Sequence, residues 1–378
     1  MRKPVITSVQ LLFMAVGSAL VFPYTFLPIL NSPPANQDVW IVLLISFVYI
    51  LIINAPLLFL MNKFRGMNVN EMVDTILGKF LGKAALIPFV LFFLYCYTAC
   101  MLITALFINI YLLPETPTWA LLLFMIAPVS FAAYKGAGTI GRLATLIVPF
   151  VMFTVIIFFI LGVEKMDLGI LKPVLADSTF LKLNQGAFYT GARYSEILIF
   201  FVFSYYLKQK ASINKTYVAA LITFAISFFL ILFPTIMVLG VEFAKHAWNP
   251  YYVYTRQVEA FEFVERVQAF NTLAWFPTSL LKLTMYNYMA AYVFSGIVNA
   301  KTHKIFVIPF SIIAFILCLL PVMNKSSTVE LLRSDQVFPW VILPIIFVIP
   351  LIIVIVYSIR RKKINLILEE NDNNDSIT

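Results

Sequence analysis

Charge is what this sequence has least of. Only 12% of its 378 residues are Asp, Glu, Lys or Arg, about half the share in an ordinary soluble domain. Cysteine and histidine are scarcer still, at three and two. Cys96, Cys100 and Cys318 lie inside apolar stretches, where free cysteine behaves as a small hydrophobe, and no histidine or acid beside them completes a metal site. His246 and His303 fall in polar breaks and read as solvated loop residues. The G-x-S-x-G, Walker A and H-E-x-x-H patterns are missing. These absences leave no catalytic constellation, cofactor or metal site to argue from, so the expectation is a protein that is not an enzyme.

What the chain does have is apolar length. Hydrophobic residues make up 62% of it, more than a soluble core could hide, and runs long enough for the roughly 20 residues of a membrane-crossing helix recur throughout. Transmembrane strands would show a weaker alternation over about ten residues. The fold class expected is an all-α polytopic membrane protein with about ten spans, near 5–30, 38–61, 84–112, 118–134, 142–163, 186–207, 216–241, 267–298, 304–322 and 338–360. They form one transmembrane domain, 1–363, followed by a tail, 364–378, whose Asn- and Asp-rich end beyond Glu369 reads as disordered. The stretch Val5–Leu30 is too long for a signal-peptide core of about 7–15 residues and has no A-x-A-like cleavage site, so it is read as the first crossing.

Lys and Arg are about twice as numerous in the N-terminus, alternate loops and C-terminal tail as in the other connections, which orients both termini to the cytoplasmic side. The net charge of +9 gathers at membrane edges, as in Arg360-Arg361-Lys362-Lys363. The partner implied is anionic membrane lipid rather than nucleic acid. Between Asn62 and Lys83, Asn70 can cap a short amphipathic helix carrying Met72, Val73, Ile76, Leu77 and Phe80. The stretch 251–265, with Tyr251, Tyr252, Tyr254, Phe261 and Phe263 among charges, reads as an interfacial or lid helix.

Three spans carry polar features. In the first, Gly17-Ser18-Ala19 precedes Pro23, which cannot donate to the carbonyl of Ala19. The freed carbonyl calls for a cavity or a bound solute. In the sixth, Gly186 and Gly191 flank a polar run, Ala192-Arg193-Tyr194-Ser195-Glu196, ahead of Ile197. Interrupted helices at matching places in two halves point to a transporter-type solute site. In the eighth, Asn271, Trp275, Thr278, Ser279, Lys282 and Tyr286 share one face. A buried lysine there needs carbonyls, an acid or water, and its ammonium is expected in place of a bound cation, against the carbonyls of the first span. Arg193 and Glu196 either pair across one turn, the favoured reading, or take the carboxylate and amine of a zwitterion.

Several segments add a family likeness. Leu77-Gly78-Lys79-Phe80-Leu81-Gly82, Leu171-Lys172-Pro173-Val174-Leu175, and Val264-Glu265-Arg266 followed by Trp275 resemble the permease-like B subunit of endospore germinant receptors, over Thr7 to Lys362. The resemblance implies the amino acid/polyamine/organocation transporter fold, with two inverted five-span repeats, about 5–163 and 186–360, and discontinuous first and sixth helices. It implies a place in the spore inner membrane or cell membrane beside receptor A and C subunits, and the sensing of a small germinant such as an amino acid or nucleoside. It maps a ligand pocket onto Gly17, Ser18, Ala19, Leu20 and Val21, onto Tyr97 and Met101, onto Tyr194, Ser195, Glu196 and Ile197, and onto the stripe around Lys282. A secondary amino-acid transporter shares that fold, and an ion-conducting or scaffold subunit is a further alternative. Two departures stand out: Ala19 where the wider superfamily often has glycine, and the pair Arg193 and Lys282, which a neutral amino-acid site does not call for.

Overall fold

The computed structural model describes residues 5–208, 210–258, 268–320 and 337–375. Among these residues the structure is helical apart from one isolated parallel bridge between Ile6 and Leu207. The first half comprises α1 (Ser8–Thr25), α2 (Val39–Lys63), α3 (Val69–Leu77), α4 (Lys79–Tyr111), α5 (Thr118–Lys135) and α6 (Ala137–Gly162). The second half comprises α7 (Phe180–Ala192), α8 (Ile197–Phe203), α9 (Ile213–Leu239), α10 (Val241–His246), α11 (Pro250–Gln257), α12 (Gln268–Ile297), α13 (Lys304–Leu319), α14 (Phe338–Leu343) and α15 (Ile349–Asp375), the last two joined by a π turn.

Seven of the described helices are long and apolar enough to cross a membrane by themselves. The other three expected crossings coincide with α7–α8, α12 and α13. Each has a physical reason to miss that measure: α7–α8 is broken, α12 carries the polar stripe, and α13 is 16 residues long. The chain is a multi-pass membrane protein, its outward faces lined by exposed Leu, Ile, Val and Phe such as Leu44, Phe153, Ile226 and Ile312.

The two interrupted crossings differ. Helix α1 starts at a capping box, in which Thr7 Oγ1 accepts from Gln10 N and Gln10 Oε1 accepts from Thr7 N, and it runs unbroken through Gly17–Ala19 and past Pro23. Its interruption lies later than the sequence suggests, at Phe26–Leu27, before a 3-10 turn at Pro28–Asn31. Pro23 stands in the last turn, where it removes a single helical bond, and Phe26 N still reaches Phe22 O at 2.8 Å. The sixth crossing breaks where expected, between Ala192 and Ile197. Helix α7 lies against α2 so closely that a Cβ on Gly191 would sit 2.9 Å from the Ser46 carbonyl oxygen.

Three local expectations change. The short helix α3 is capped by Asn68, whose side chain accepts from Glu71 N while Glu71 Oε2 accepts from Asn68 N. Asn70 instead packs on Gly296. The capping box explains the choice, because it needs Glu three residues after the cap. Val69, Met72, Val73 and Ile76 form the buried face of α3, whereas Phe80 belongs to the first turn of α4 and is 85% exposed. The final helix continues to Asp375, through the tail read as disordered. Of the outer stretch 251–265, α11 covers the first part, with Tyr251, Tyr252 and Tyr254 buried. Glu259, Phe261, Glu262, Phe263, Glu265 and the Val264-Glu265-Arg266 segment lie outside the described residues.

The Leu171–Leu175 segment has a visible task. Leu175 N donates to both carboxylate oxygens of the fully buried Asp38, which also accepts from Ser178 Oγ. This clamps the long connection before α7 onto the start of α2.

Candidate binding site

Helix α1, the α7–α8 break and α12 come together at one buried charged cluster. Lys282 Nζ donates to the Ser18 carbonyl oxygen at 2.9 Å and lies 3.3 Å from Glu196 Oε1. Ser18 Oγ donates to that same Oε1 at 3.2 Å. Lys282 and Ser18 have no exposed surface, and Glu196 is 3% exposed. The ammonium also sits over the Phe22 ring, 3.7 Å from its centroid, with Tyr286 at 5.7 Å. A lysine so far from water is tolerable because a carboxylate, a carbonyl and an aromatic face together replace its hydration. Glu196 thus meets Lys282, 86 residues away, a partner that its spacing from Arg193 does not suggest. Arg193 lies 5.0 Å over the Phe338 ring.

On the other side of Glu196 lies a cavity of about 50 Å³ between α1, α2, α7–α8 and α9. Ala19, Phe22, Pro23, Ser46, Thr190, Arg193, Tyr194 and Glu196 supply one part of its wall; Phe47, Phe224 and Phe228 supply an aromatic part. It has room for a few water molecules. The hydroxyls of Tyr194 and Thr190 are buried without a hydrogen-bond partner.

The remaining residues expected at the site divide clearly. Gly17 serves packing: a Cβ there would lie 2.7 Å from a Val148 methyl and 3.3 Å from a Leu281 methyl. Leu20, Val21, Ser195 and Ile197 are buried around the cluster without lining the cavity. Thr278 and Ser279 return their hydroxyls to Ala274 O and Trp275 O of their own helix. Met101 is buried in α4. Tyr97 joins a separate network, bonding Ser311 Oγ at 3.2 Å, which also meets Ser130 Oγ and Asn287 Nδ2 and so ties α4, α5, α12 and α13. Phe22, Thr190 and the aromatic wall were not singled out from the sequence. For Phe22 a cue existed, since it lies four residues after Ser18, on the same helix face.

The two ends of the site are unlike. At the α11 end, Trp275 Nε1 donates to Thr25 Oγ1 at 2.9 Å, Asn249 Nδ2 donates to Thr25 O, and Tyr251 of α11 packs on Tyr24. Phe107, Tyr252 and Trp275 close the layer above. At the opposite end, a cavity of about 450 Å³ opens beside α3 and the end of α12, bounded by Asn70, Glu71, Asp74, Tyr292, Asn299 and His303.

Residues 5–328 match the model of a family described as spore germination protein, a spore permease family. The chain belongs to that family. Among curated proteins it is similar to the putative spore germination protein YfkT of Bacillus subtilis (strain 168), 25% identical over 288 residues that make up 75% of this chain and 77% of the relative. It is also similar to the spore germination protein YndE of the same organism, 27% identical over 211 residues, which span 54% of this chain and 55% of that protein. Among solved structures it superposes on MhsT, determined in complex with L-phenylalanine, with a TM-score of 0.61 at 14% identity, over 95% of this chain and 99% of that one. A manganese transporter of Eremococcus coleocola gives a TM-score of 0.55 at 13% identity, over 90% and 78%. At such identities the likeness concerns the fold, an inverted-repeat transporter architecture, and the germination permease is a membrane protein built on it.

Proposed function

We propose that this germination permease is the membrane subunit of a spore germinant receptor, binding a small germinant of the amino acid or nucleoside class beside the break in its sixth crossing. The observation that carries the reading is the bond from Lys282 Nζ to the Ser18 carbonyl, with Glu196 3.3 Å away. The ammonium occupies the position of a bound cation and holds α12 to α1 and to the break. A solute that draws on Glu196, Ser18 or Phe22 thereby loosens the hold on α12, and binding becomes a movement of helices. The surrounding arrangement is two five-span repeats, 5–163 and 186–360, in the spore inner membrane, with both termini on the cytoplasmic side and receptor A and C subunits as partners.

The test is a spore carrying Lys282→Met at normal abundance. The expected result is loss of the germination response to the cognate germinant; an undiminished response overturns the reading. The likeness to MhsT supports a second reading, a secondary amino-acid transporter. Uptake into proteoliposomes separates the two, because concentrative flux of solute belongs to the transporter and binding without flux to the receptor.

A further inference from the structure

The cavity beside Glu196 is displaced from the junction of α1, α8 and α12, which the Lys282 side chain fills. It shares Phe22 and Glu196 with that junction and lies against α2 and α9. Its wall is uneven in a way that specifies chemistry. Among the described residues, the side-chain atoms in it without a partner include two hydroxyls, Tyr194 OH and Thr190 Oγ1, and Tyr194 is 5% exposed. Arg193, 8% exposed, adds a guanidinium to the same wall. The carboxylate in the wall, Glu196, already accepts at Oε1 from both Lys282 and Ser18. Donors therefore line the space, and Oε1 of its carboxylate is engaged. Opposite them, Phe224 stands between Tyr194 and Phe228, with ring centroids 5.4 Å from each, and 6.5 Å from Phe47.

We infer that this side cavity is a seat for a small apolar monocarboxylate. Its carboxylate accepts from the hydroxyls of Tyr194 and Thr190 beside Arg193, its hydrocarbon or aromatic body lies among Phe47, Phe224 and Phe228, and no group is set aside for an α-amine. Two buried hydroxyls left without partners are unfavourable, and an acceptor that meets both removes that penalty. An ammonium in the same place would bring a third cation to Arg193 and Lys282 around a single carboxylate. At about 50 Å³ the space is closed around a few waters, so the body of the ligand enters as the rings of Phe47, Phe224 and Phe228 turn aside. The inference rests on the proposed function only in taking the sixth-crossing break as the place where a small molecule binds.

The experiment uses the purified full chain in detergent and follows unfolding temperature against concentration for three probes of one skeleton: 3-phenylpropionate, L-phenylalanine and phenethylamine. Binding to the folded state raises that temperature. 3-Phenylpropionate is expected to stabilise the protein most, L-phenylalanine less because its ammonium finds no acceptor, and phenethylamine not at all. Tyr194→Phe and Thr190→Val, which each remove one hydroxyl and little volume, are expected to weaken the acids about tenfold. The inference is overturned if the amine stabilises as well as the acids, if no probe shifts unfolding, or if both variants bind the acids as the parent does. Lys282→Met in the same assay and in spores separates the two claims. Probe binding that depends on Lys282 but not on Tyr194 or Thr190 sinks the side cavity alone, whereas dependence on Tyr194 with a normal germination response from Lys282→Met sinks the receptor mechanism alone.

Discussion

The first and sixth crossings both look breakable in sequence, and they solve the problem differently. Helix α1 keeps its form past Pro23 and gives up one carbonyl, that of Ser18, to a lysine from α12. The sixth crossing gives up four residues, Arg193 to Glu196, and delivers a carboxylate to the same lysine. The difference teaches that a proline near a helix end costs little continuity, while a tight approach of backbones, as at Gly191 on α2, coincides with real unwinding.

The sharpest way to break this comparison is to remove what joins the two. Lys282→Ala leaves Glu196 buried and unpaired, and the expected loss is about 3–5 kcal/mol, read as a fall in unfolding temperature in detergent. Combining Lys282→Met with Glu196→Gln should recover most of it, because the pair is then replaced rather than halved. Next in size is Gly191→Ala. Its new Cβ meets the Ser46 carbonyl and the Tyr49 Cβ, neither of which is the free end of a side chain, so about 1–3 kcal/mol is expected. Gly17→Ala meets the ends of Val148 and Leu281 and should cost less in the same assay. Pro23→Ala, which returns a donor to the Ala19 carbonyl, is expected to change stability by less than about 1 kcal/mol; a larger effect would mean that α1 is held open by its proline.

The smallest expected effect comes from the end beside α3, away from both breaks. Burial holds the His303 imidazole below its ordinary value, and the adjacent Lys304 acts the same way, against a bond to the Ala133 backbone. The neutral ring is thus favoured in the folded state. That contribution is fully present above about pH 6.5 and is lost as pH falls through the lower folded value. Acidification should therefore lower the unfolding temperature, and His303→Gln should flatten that acid limb without altering the neutral one.

Much of this was legible in the sequence, because hydropathy and glycine placement are local signals. The ten apolar segments, the break around Arg193–Glu196 and the polar face bearing Lys282 could be found by counting along the chain. The Asn68 cap was also readable from Glu71 three residues on. What could not be read were partnerships across the bundle. Glu196 meets Lys282 only once three helices are assembled, and Tyr97 turns to Ser311, 214 residues away. The wall of Phe47, Phe224 and Phe228 combines ordinary apolar residues of two crossings, which nothing local distinguishes from lipid-facing ones.

One small feature bears on how such a molecule can move. Ile6 N donates to Tyr206 O at 2.8 Å, and Lys208 N donates to Ile6 O at 3.2 Å, so the lead-in to α1 is pinned to the segment after α8. A displacement of the start of α1 is thereby passed through main-chain bonds to the segment after α8. Beside this joint Tyr206 and Tyr288 share a hydrogen bond between their hydroxyls and Phe203 stacks on Tyr288, so α12 is tied to the same place.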